Sequence, residues 1–475
     1  MIRFKEILLT DKPAIARRLA AAGIPSCDYT FGNIYSWRHA YGSLWAETDD
    51  VMAVRFELGA EGYRGYMLSE QGDYCRIVPE LMADARAEGI RFRMVGMSRS
   101  GAEAFCRWAD GHYGLDAEGR AAVCDTDPAD CARQGSECFA VCDNRDYRDY
   151  IYSVEDLCNL TGRKYQPKRN HVNRFESMYE YTFDELRPSD FAECMRLERE
   201  WQRRKESAEA RGAEHEAEMS EEQRAIAEAL AAYDELGLYG GVLRVDGRVA
   251  AFTYGSELTP EIFCTHIEKA DASYEGVFPM INRCFARALA ARGYKYVNRE
   301  EDMGLAGLRR SKMSYHPVAM QEKMTVAALT LREIECRDLW QRVFGDTREF
   351  VDLFLSEVYK PENTLVRYAD GRVAAMLHIV DIKTSYGPTG YLYAIATDHA
   401  SRGRGLASEL ITEAVASLRE RGYKAAMLIP SEPSLKDFYA RFGFEDREYE
   451  LDFSEGFDLG TGDPEHDRAM VLEIG

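Results

Sequence analysis

The sequence predicts an α/β chain of mixed central sheets flanked by helices, divided into about three units. Length is the first ground, since 475 residues make about three domains of ordinary size, or two larger ones. The second is alternation: apolar runs of strand length are interleaved with stretches whose apolar residues recur every three or four positions. The third is an internal repeat. Residues 243–252 and 366–376 each read as strand, Asp-Gly turn and strand, sharing Asp-Gly-Arg-Val-Ala-Ala. Arg-Gly-Tyr-Lys then follows, 46 residues after Asp246 in one copy and 51 after Asp370 in the other. Two landmarks at nearly equal spacing point to one unit built twice.

Taken from the start, residues 12–19 predict a helix, 51–58 a strand, 78–89 a helix, 91–96 a strand and 101–109 a helix. Residues 27–38 are dense in aromatics and read as core or substrate-shelf packing, with base stacking as the alternative. The window 163–174 holds Arg163, Lys164, Lys168, Arg169 and Arg174 and no acid, which suits phosphate contact or a solvated face. Residues 189–236 are helical, with an acid-heavy exposed stretch over 196–222. Ile226, Leu230 and Tyr233 then form an apolar stripe ending at Gly237.

The net charge of −21 excludes a protein that binds nucleic acid with its whole surface, so a tRNA partner has to meet a local basic patch. No run approaches the ~18 apolar residues of a membrane span, and the first residues lack a signal-peptide core. A cytoplasmic protein without stable membrane insertion is expected. Twelve cysteines include no Cys-x-x-Cys. Cys124, Cys131, Cys138 and Cys142 are spaced more widely than zinc ligands, so buried reduced thiols and no metal are expected.

The most informative stretch begins as an apolar strand over 391–396 and breaks at 398–401. Arg402-Gly403-Arg404-Gly405-Leu406-Ala407 then leads into a helix striped by Leu406, Leu410, Ile411, Ala414, Val415 and Leu418. Two glycines opening a helix let backbone amides approach an anion, which the helix N-terminus also favours. A pyrophosphate cradle is the functional reading and a plain Gly-rich turn the alternative. An apolar run over 425–429 follows, then Pro430, Glu432 and a short helix with Phe438-Tyr439…Gly443-Phe444.

Over about 329–475 these residues resemble the GNAT family of acetyl-CoA-dependent N-acetyltransferases. Arg402, Gly405 and Ala407 stand at its Arg/Gln-x-x-Gly-x-Gly/Ala signature, and the wording of 393–397 and 428–435 is similar to the enhanced-intracellular-survival subgroup. The resemblance implies acetyl-CoA as donor and a small-molecule or peptide amine as acceptor. It puts the cofactor on Ile395, Ala396, Thr397, Arg402, Gly403, Arg404, Gly405, Leu406 and Ala407. Attack of an amine on a thioester needs an oxyanion donor, which the backbone around 394–396 can supply. It also needs a proton for the leaving thiolate. Tyr439 suits that task, because a phenol of pKa ~10 is close to an alkyl thiol, or else it is a core aromatic. Glu432 is the candidate base, or a surface carboxylate.

The middle unit lacks these features. It has Tyr274-Glu275-Gly276-Val277-Phe278-Pro279 where the later copy has the paired glycines, and Gly307–Arg310 where the later copy has Phe438-Tyr439. A carboxylate and a single glycine make a poor pyrophosphate cradle, so acetyl-CoA is not its expected donor. Residues 27–38, 150–175, 266–270, 298–304 and 308–315 resemble the lysylphosphatidylglycerol-synthase C-terminal domain family. That resemblance spans 1–325 and implies two GNAT-like folds in tandem, about 1–180 and 181–325. It also implies aminoacyl transfer from aminoacyl-tRNA. An ester with a free α-amine calls for carboxylates to pair with the ammonium, the candidates being Glu300, Glu301 and Asp302. Phosphates call for cations: Arg299, Arg309 and Lys312, with Lys164, Lys168 and Arg169. His266 beside Glu268 is a candidate proton shuttle or a structural histidine. The reading is thus an acyltransferase of three GNAT-type units, the alternative being a front module that only binds substrate or RNA for the acetyltransferase.

Overall fold

The computed structural model describes residues 2–48, 51–58, 63–69, 74–115, 120–123, 135–209, 220–447, 451–452 and 469–474. Three mixed sheets flanked by helices account for most of it. The chain forms two compact units, 1–103 with 144–324, and 104–143 with 325–475. Residues 104–143 therefore group with the C-terminal portion, although the sequence reading put them in the front module. The reason is polar stitching. The buried Arg337 donates to the carbonyls of Glu137 and Phe139, and Asp352 accepts from the Val141 amide at 3.0 Å. Cys124 and Cys131 lie outside the described residues; Cys138 and Cys142 are buried free thiols.

In the first unit, Lys5–Glu6, Leu44–Glu47, Met52–Leu58 and Tyr63–Leu68 pair antiparallel in succession. Arg93–Met97 joins parallel to the last of these after the helix Tyr74–Ala87. The second sheet of this unit runs in the order Tyr181–Glu185, Tyr239–Val245, Arg248–Thr259, Ile262–Ala270, Tyr296–Asn298, Asp149–Ser153, Ala319–Gln321. Asp149–Ser153 thus belongs to the second half, not to the first as a border near 180 supposed, because it is hydrogen-bonded between Tyr296–Asn298 and Ala319–Gln321. One core joins the halves: Ile15, Leu19, Tyr29, Phe31 and Trp45 pack with Ile226, Leu230, Leu238 and Phe252. The aromatics of 27–38 are therefore largely core. Thr30 and Ser26 cap the two short helical turns there by accepting from the amides of Asn33 and Asp28.

The C-terminal unit is ordered Thr364–Ala369, Arg372–Thr384, Gly387–Thr397, Ala425–Leu428, Met470–Glu473, Glu445–Asp446. The repeat read from the sequence extends to its registry. Val245 faces Arg248 as Ala369 faces Arg372, and each hairpin is bulged a residue or two further on, at Ala250 and at Ala374. The helix Leu331–Phe344 starts at a capping box of Thr330 and Glu333 and buries Ile334, Leu339 and Trp340 against this sheet.

His378 lies in that core against Trp340 and Phe354, with Nδ1 2.9 Å from Thr364 Oγ1 and Nε2 unpartnered. Burial pulls its pKa down to about 3. Below the unfolded value of ~6.5 the unfolded chain binds the extra proton and the folded one does not. The stability this histidine contributes is therefore complete above ~6.5 and shrinks by up to ~1.4 kcal/mol per pH unit as pH falls toward about 3. Urea unfolding of the C-terminal unit at pH 7 and pH 5 is expected to show this loss in wild type and a flatter profile in His378→Asn.

Candidate functional site

In the C-terminal unit, Gly387–Thr397 and Ala425–Leu428 run parallel but pair only at Thr389↔Ala425, Gly390↔Ala426 and Tyr391↔Met427. Beyond Tyr391 they part. On the other edge of the longer strand, Ala394 and Ile395 together face the single residue Leu377, and Ala394 takes a left-handed φ of 48°. A cavity of about 160 Å³ opens where the strands separate, lined among others by Trp340, Tyr391, Tyr393, Ile395, Ser431 and Tyr439.

Tyr439 is almost fully buried, and burial alone pushes its phenol up to about 12. The hydroxyl therefore stays protonated at neutral pH, as a proton donor must. With Tyr439 as the expected proton donor to a leaving thiolate, Tyr439→Phe is expected to lower kcat roughly 100-fold with little change in KM, measured by release of free thiol from an acyl thioester.

Of the other expected residues here, Ile395 lines the cavity, whereas Ala396 and Thr397 are paired with Met376 and Ala375 in the sheet. Glu432 is exposed and accepts from Ser434 Oγ at 3.2 Å; the carboxylate that lines the cavity is Asp346, which accepts from Trp340 Nε1 at 2.8 Å. Trp340, Phe344 and Asp346 escaped the sequence reading because they lie some fifty residues ahead of the strands they face.

The loop Arg402–Ala407 leads into the helix Leu406–Glu420, whose cap, Gly405, has φ 84° and offers no side chain to the first amides. Those amides have no partner within the helix. Gly403 has φ 78°, and a Cβ at either glycine would meet nothing within 4 Å. Arg402 and Arg404 are exposed beside it.

The middle unit has the same architecture with the opposite contents. Ile262–Ala270 pairs parallel with Tyr296–Asn298 at three positions ending in Cys264↔Asn298, then the strands part in the same way. The gap holds His266, Glu268, Arg299 and Glu300, and the Arg299–Glu268 ion pair at 3.0 Å stitches it. Gly276 caps the helix Val277–Ala291 with φ 85°, but a Cβ there would lie 2.4 Å from the His171 carbonyl oxygen. The helix Gln166–Met178 thus closes the helix end that stands open in the C-terminal unit.

That helix carries much of the basic window, and most of the window's cations have partners inside the protein. Arg169 donates to the carbonyls of Leu160 and Gly162, Arg174 pairs with Glu275, and Lys168 lies 3.9 Å over the Tyr315 ring. Burial, reinforced by Arg299, pulls Lys168 down to about 8. Lys164 is exposed, 3.5 Å from Asp156.

The acids after Asn298 separate into three environments. Asp302 is buried and accepts from Tyr150, Arg145 and Arg309. Glu301 meets Lys323 at 3.2 Å; the same ammonium reaches Asp149 at 2.8 Å and Asp28 at 2.9 Å. Burial and the neighbouring acids raise the Asp149 pKa, while Lys323 and Lys312 overcome the effect of burial on Glu301 and lower it. Lys312 Nζ itself donates to the carbonyls of Arg299 and Glu300.

Glu300 differs from both. At φ 58°, with its amide donating to Asn298 Oδ1, it is met at Oε1 by Asn33 Nδ2 (3.0 Å), His266 Nδ1 (2.9 Å) and, more distantly, Cys264 Sγ. Among the described residues no lysine or arginine side chain pairs with it, and Oε2 has no partner. Asn33 Oδ1 is buried and unpartnered. His266 completes the line, with Nε2 2.8 Å from Ser256 Oγ. Asn33, Ser256, Asp149 and Lys323 were not legible as site residues, though Ser256 and His266 lie on the two strands of one hairpin, ten residues apart in sequence.

A cavity that ends in a phenol, and a carboxylate–imidazole–hydroxyl line in the middle unit, are compatible with an enzyme of the acyltransferase class. The comparisons agree. Residues 21–327 match the family described as phosphatidylglycerol lysyltransferase, C-terminal, and residues 329–446 match the acetyltransferase (GNAT) domain. The chain belongs to the phosphatidylglycerol lysyltransferase C-terminal family and carries a GNAT acetyltransferase domain behind it.

Among solved structures it is similar to a conserved protein of unknown function from Bacteroides thetaiotaomicron, at 33% identity and TM-score 0.57 over 69% of this chain and 100% of that one. It is also matched to L-PGS from Bacillus licheniformis (13% identity, TM-score 0.40, 62% of this chain and 90% of that one). A third match is a GNAT family N-acetyltransferase from Escherichia coli in complex with CoA (23%, TM-score 0.24, 31% and 78%). No curated protein sequence matches the chain. No helix among the described residues is long and apolar enough to cross a membrane.

Proposed function

We propose that the chain catalyses two acyl transfers, one in each unit. The C-terminal unit moves acetyl from acetyl-CoA to a primary amine, small molecule or peptide, in the manner of the enhanced-intracellular-survival subgroup. The observation that carries this is the pairing of an uncapped, glycine-headed helix end with a cleft that ends in Tyr439. Amides of 402–407 bind the pyrophosphate with Arg402 and Arg404, and the thioester lies along Ile395, where the bulged backbone donates to the carbonyl oxygen. Tyr439 protonates the leaving thiolate. Calorimetric titration with acetyl-CoA tests the reading: binding is expected at one site in the C-terminal unit, and no binding removes it.

The front module moves an aminoacyl group from aminoacyl-tRNA to an acceptor in a cytoplasmic setting. What supports this is Glu300, a carboxylate with one oxygen bound by Asn33 and His266 and, among the described residues, the other without a partner, beside the unpaired Asn33 Oδ1. An α-ammonium satisfies both acceptors, whereas Glu301 and Asp302 already have cations. Arg299 and Lys312 lie behind the site, and Lys164 remains on the surface for phosphate. Glu300→Gln keeps the shape and loses the charge. It is expected to cut aminoacyl transfer from total charged tRNA roughly 1000-fold. Retained tRNA binding with no transfer by wild type to any amine or lipid makes the module a binding platform instead.

A further inference from the structure

We propose that the acceptor of the C-terminal unit is an aralkylamine, one primary ammonium on a flat apolar body, and that Asp346 selects it by pairing with the ammonium. This rests on the acetyl-transfer reading above. Three observations carry it. The first is a carboxylate with an oxygen to spare. Asp346 lies just past the helix Leu331–Phe344 and is exposed, yet it lines the cavity. Trp340 Nε1 donates to its Oδ2 at 2.8 Å and so fixes the group. Among the described residues no lysine or arginine pairs with Asp346, and its Oδ1 has no partner. A carboxylate held in that state on a cavity wall suits an incoming cation that brings N–H donors.

The second is the character of the walls. The rings of Trp340, Phe344, Tyr391 and Tyr393 line the same cavity. They are set steeply to one another: Trp340 meets Phe344 at 70° and Tyr393 at 62°, and Tyr391 meets Tyr393 at 63°. Rings at such angles offer both faces and edges. Faces attract a cation, and edges pack against another aromatic ring. Among the residues that line the cavity, Asp346 is the one charged side chain. A polyamine would bring a second ammonium with no carboxylate to meet, and an amino sugar would set hydroxyls against the rings. Both lose hydration without compensation.

The third is the position of the carboxylate relative to the reaction. The Trp340 indole that holds Asp346 is 5.6 Å, centre to centre, from the Tyr393 ring. Tyr393 immediately precedes the bulge at Ala394 and Ile395. Burial, reinforced by Asp346, pushes the Tyr393 phenol up to about 12, so the carboxylate's charge reaches this strand. An amine paired with Asp346 therefore stands beside the backbone proposed for the thioester, in the cavity that Tyr439 also lines.

The transfer balances. One proton of the ammonium leaves to solvent at Asp346, and the freed amine nitrogen bonds to the thioester carbonyl carbon. The carbon–sulfur bond breaks and the thiolate takes the Tyr439 proton. The nitrogen's second proton restores Tyr439, and the third stays on the amide.

Full-length protein is given acetyl-CoA and one amine at a time, and free thiol is measured. Phenethylamine and tryptamine are expected to show kcat/KM at least tenfold above spermidine, glucosamine and a lysine-containing peptide. Asp346→Asn keeps an acceptor for the indole N–H and loses the charge. It is expected to raise KM for phenethylamine roughly tenfold, with kcat and the calorimetric affinity for acetyl-CoA near wild type. Asp346→Glu is expected to recover part of the KM. The neutral mimic 2-phenylethanol separates charge from shape: as a competitive inhibitor it is expected to bind Asp346→Asn and wild type equally. Weaker inhibition of the variant means a distorted cavity and overturns the ammonium pairing. So does an unchanged KM in Asp346→Asn. Preference for spermidine, glucosamine or the peptide, or acetyl-CoA binding without thiol release by either aralkylamine, overturns the acceptor class and leaves the acetyl-CoA reading standing. No binding of acetyl-CoA overturns both.

Discussion

Gly405→Glu is expected to weaken acetyl-CoA binding by roughly 30- to 150-fold, about 2–3 kcal/mol, in calorimetric titration against wild type. Two effects add. At φ 84° a residue with a Cβ costs about 1–2 kcal/mol, and the backbone relaxes away from the geometry that aims the amides. The new carboxylate also occupies the positive helix end proposed for the pyrophosphate, an effect on the order of 1 kcal/mol. The open surroundings of Gly405 make a steric clash an insufficient account of any loss. Equal affinity in the two proteins would remove the assignment of the cradle.

Lys323→Met is expected to cost about 3–5 kcal/mol of stability in the front module, read as a fall in the urea midpoint. Asp149 and Glu301 stay buried beside Asp28 when the ammonium that meets all three is gone. The pH dependence gives a check. Without Lys323 the buried carboxyls hold protons at higher pH than in the unfolded chain, so the folded state binds more protons and stability falls as pH rises above ~4. The deficit of the variant is therefore expected to be smaller at pH 5 than at pH 7. A deficit that is the same at both would indicate lost packing of the lysine stem rather than unpaired charge.

Local patterns predicted most of the elements. Residues 12–19 and 91–96 are found as Lys12–Ala22 and Arg93–Met97, and the duplicated Asp-Gly hairpins match down to their bulges. Paired glycines before an apolar stripe marked the loop at 402–407 because turn chemistry is written in consecutive residues. The polar cluster of the middle unit was only half legible. His266 and Glu300 were named, but which acid keeps a free oxygen depends on Lys323, Arg309 and Asn33, brought together from distant parts of the chain. The same holds for residues 104–143, whose attachment rests on a buried arginine some two hundred residues away. The basic window misled in part for the opposite reason: its sign was plain, but the carbonyls that occupy Arg169 could not be seen.

The carbonyl of His171, seated against Gly276, has a pharmacological consequence. On the proposed assignment of the cofactor, a bisubstrate inhibitor that carries a coenzyme A moiety is expected to enter the last unit and to find the corresponding helix end of the middle one closed. The two proposed chemistries would then be open to being silenced one at a time, by a drug instead of a mutation, and their separate contributions measured in a living cell.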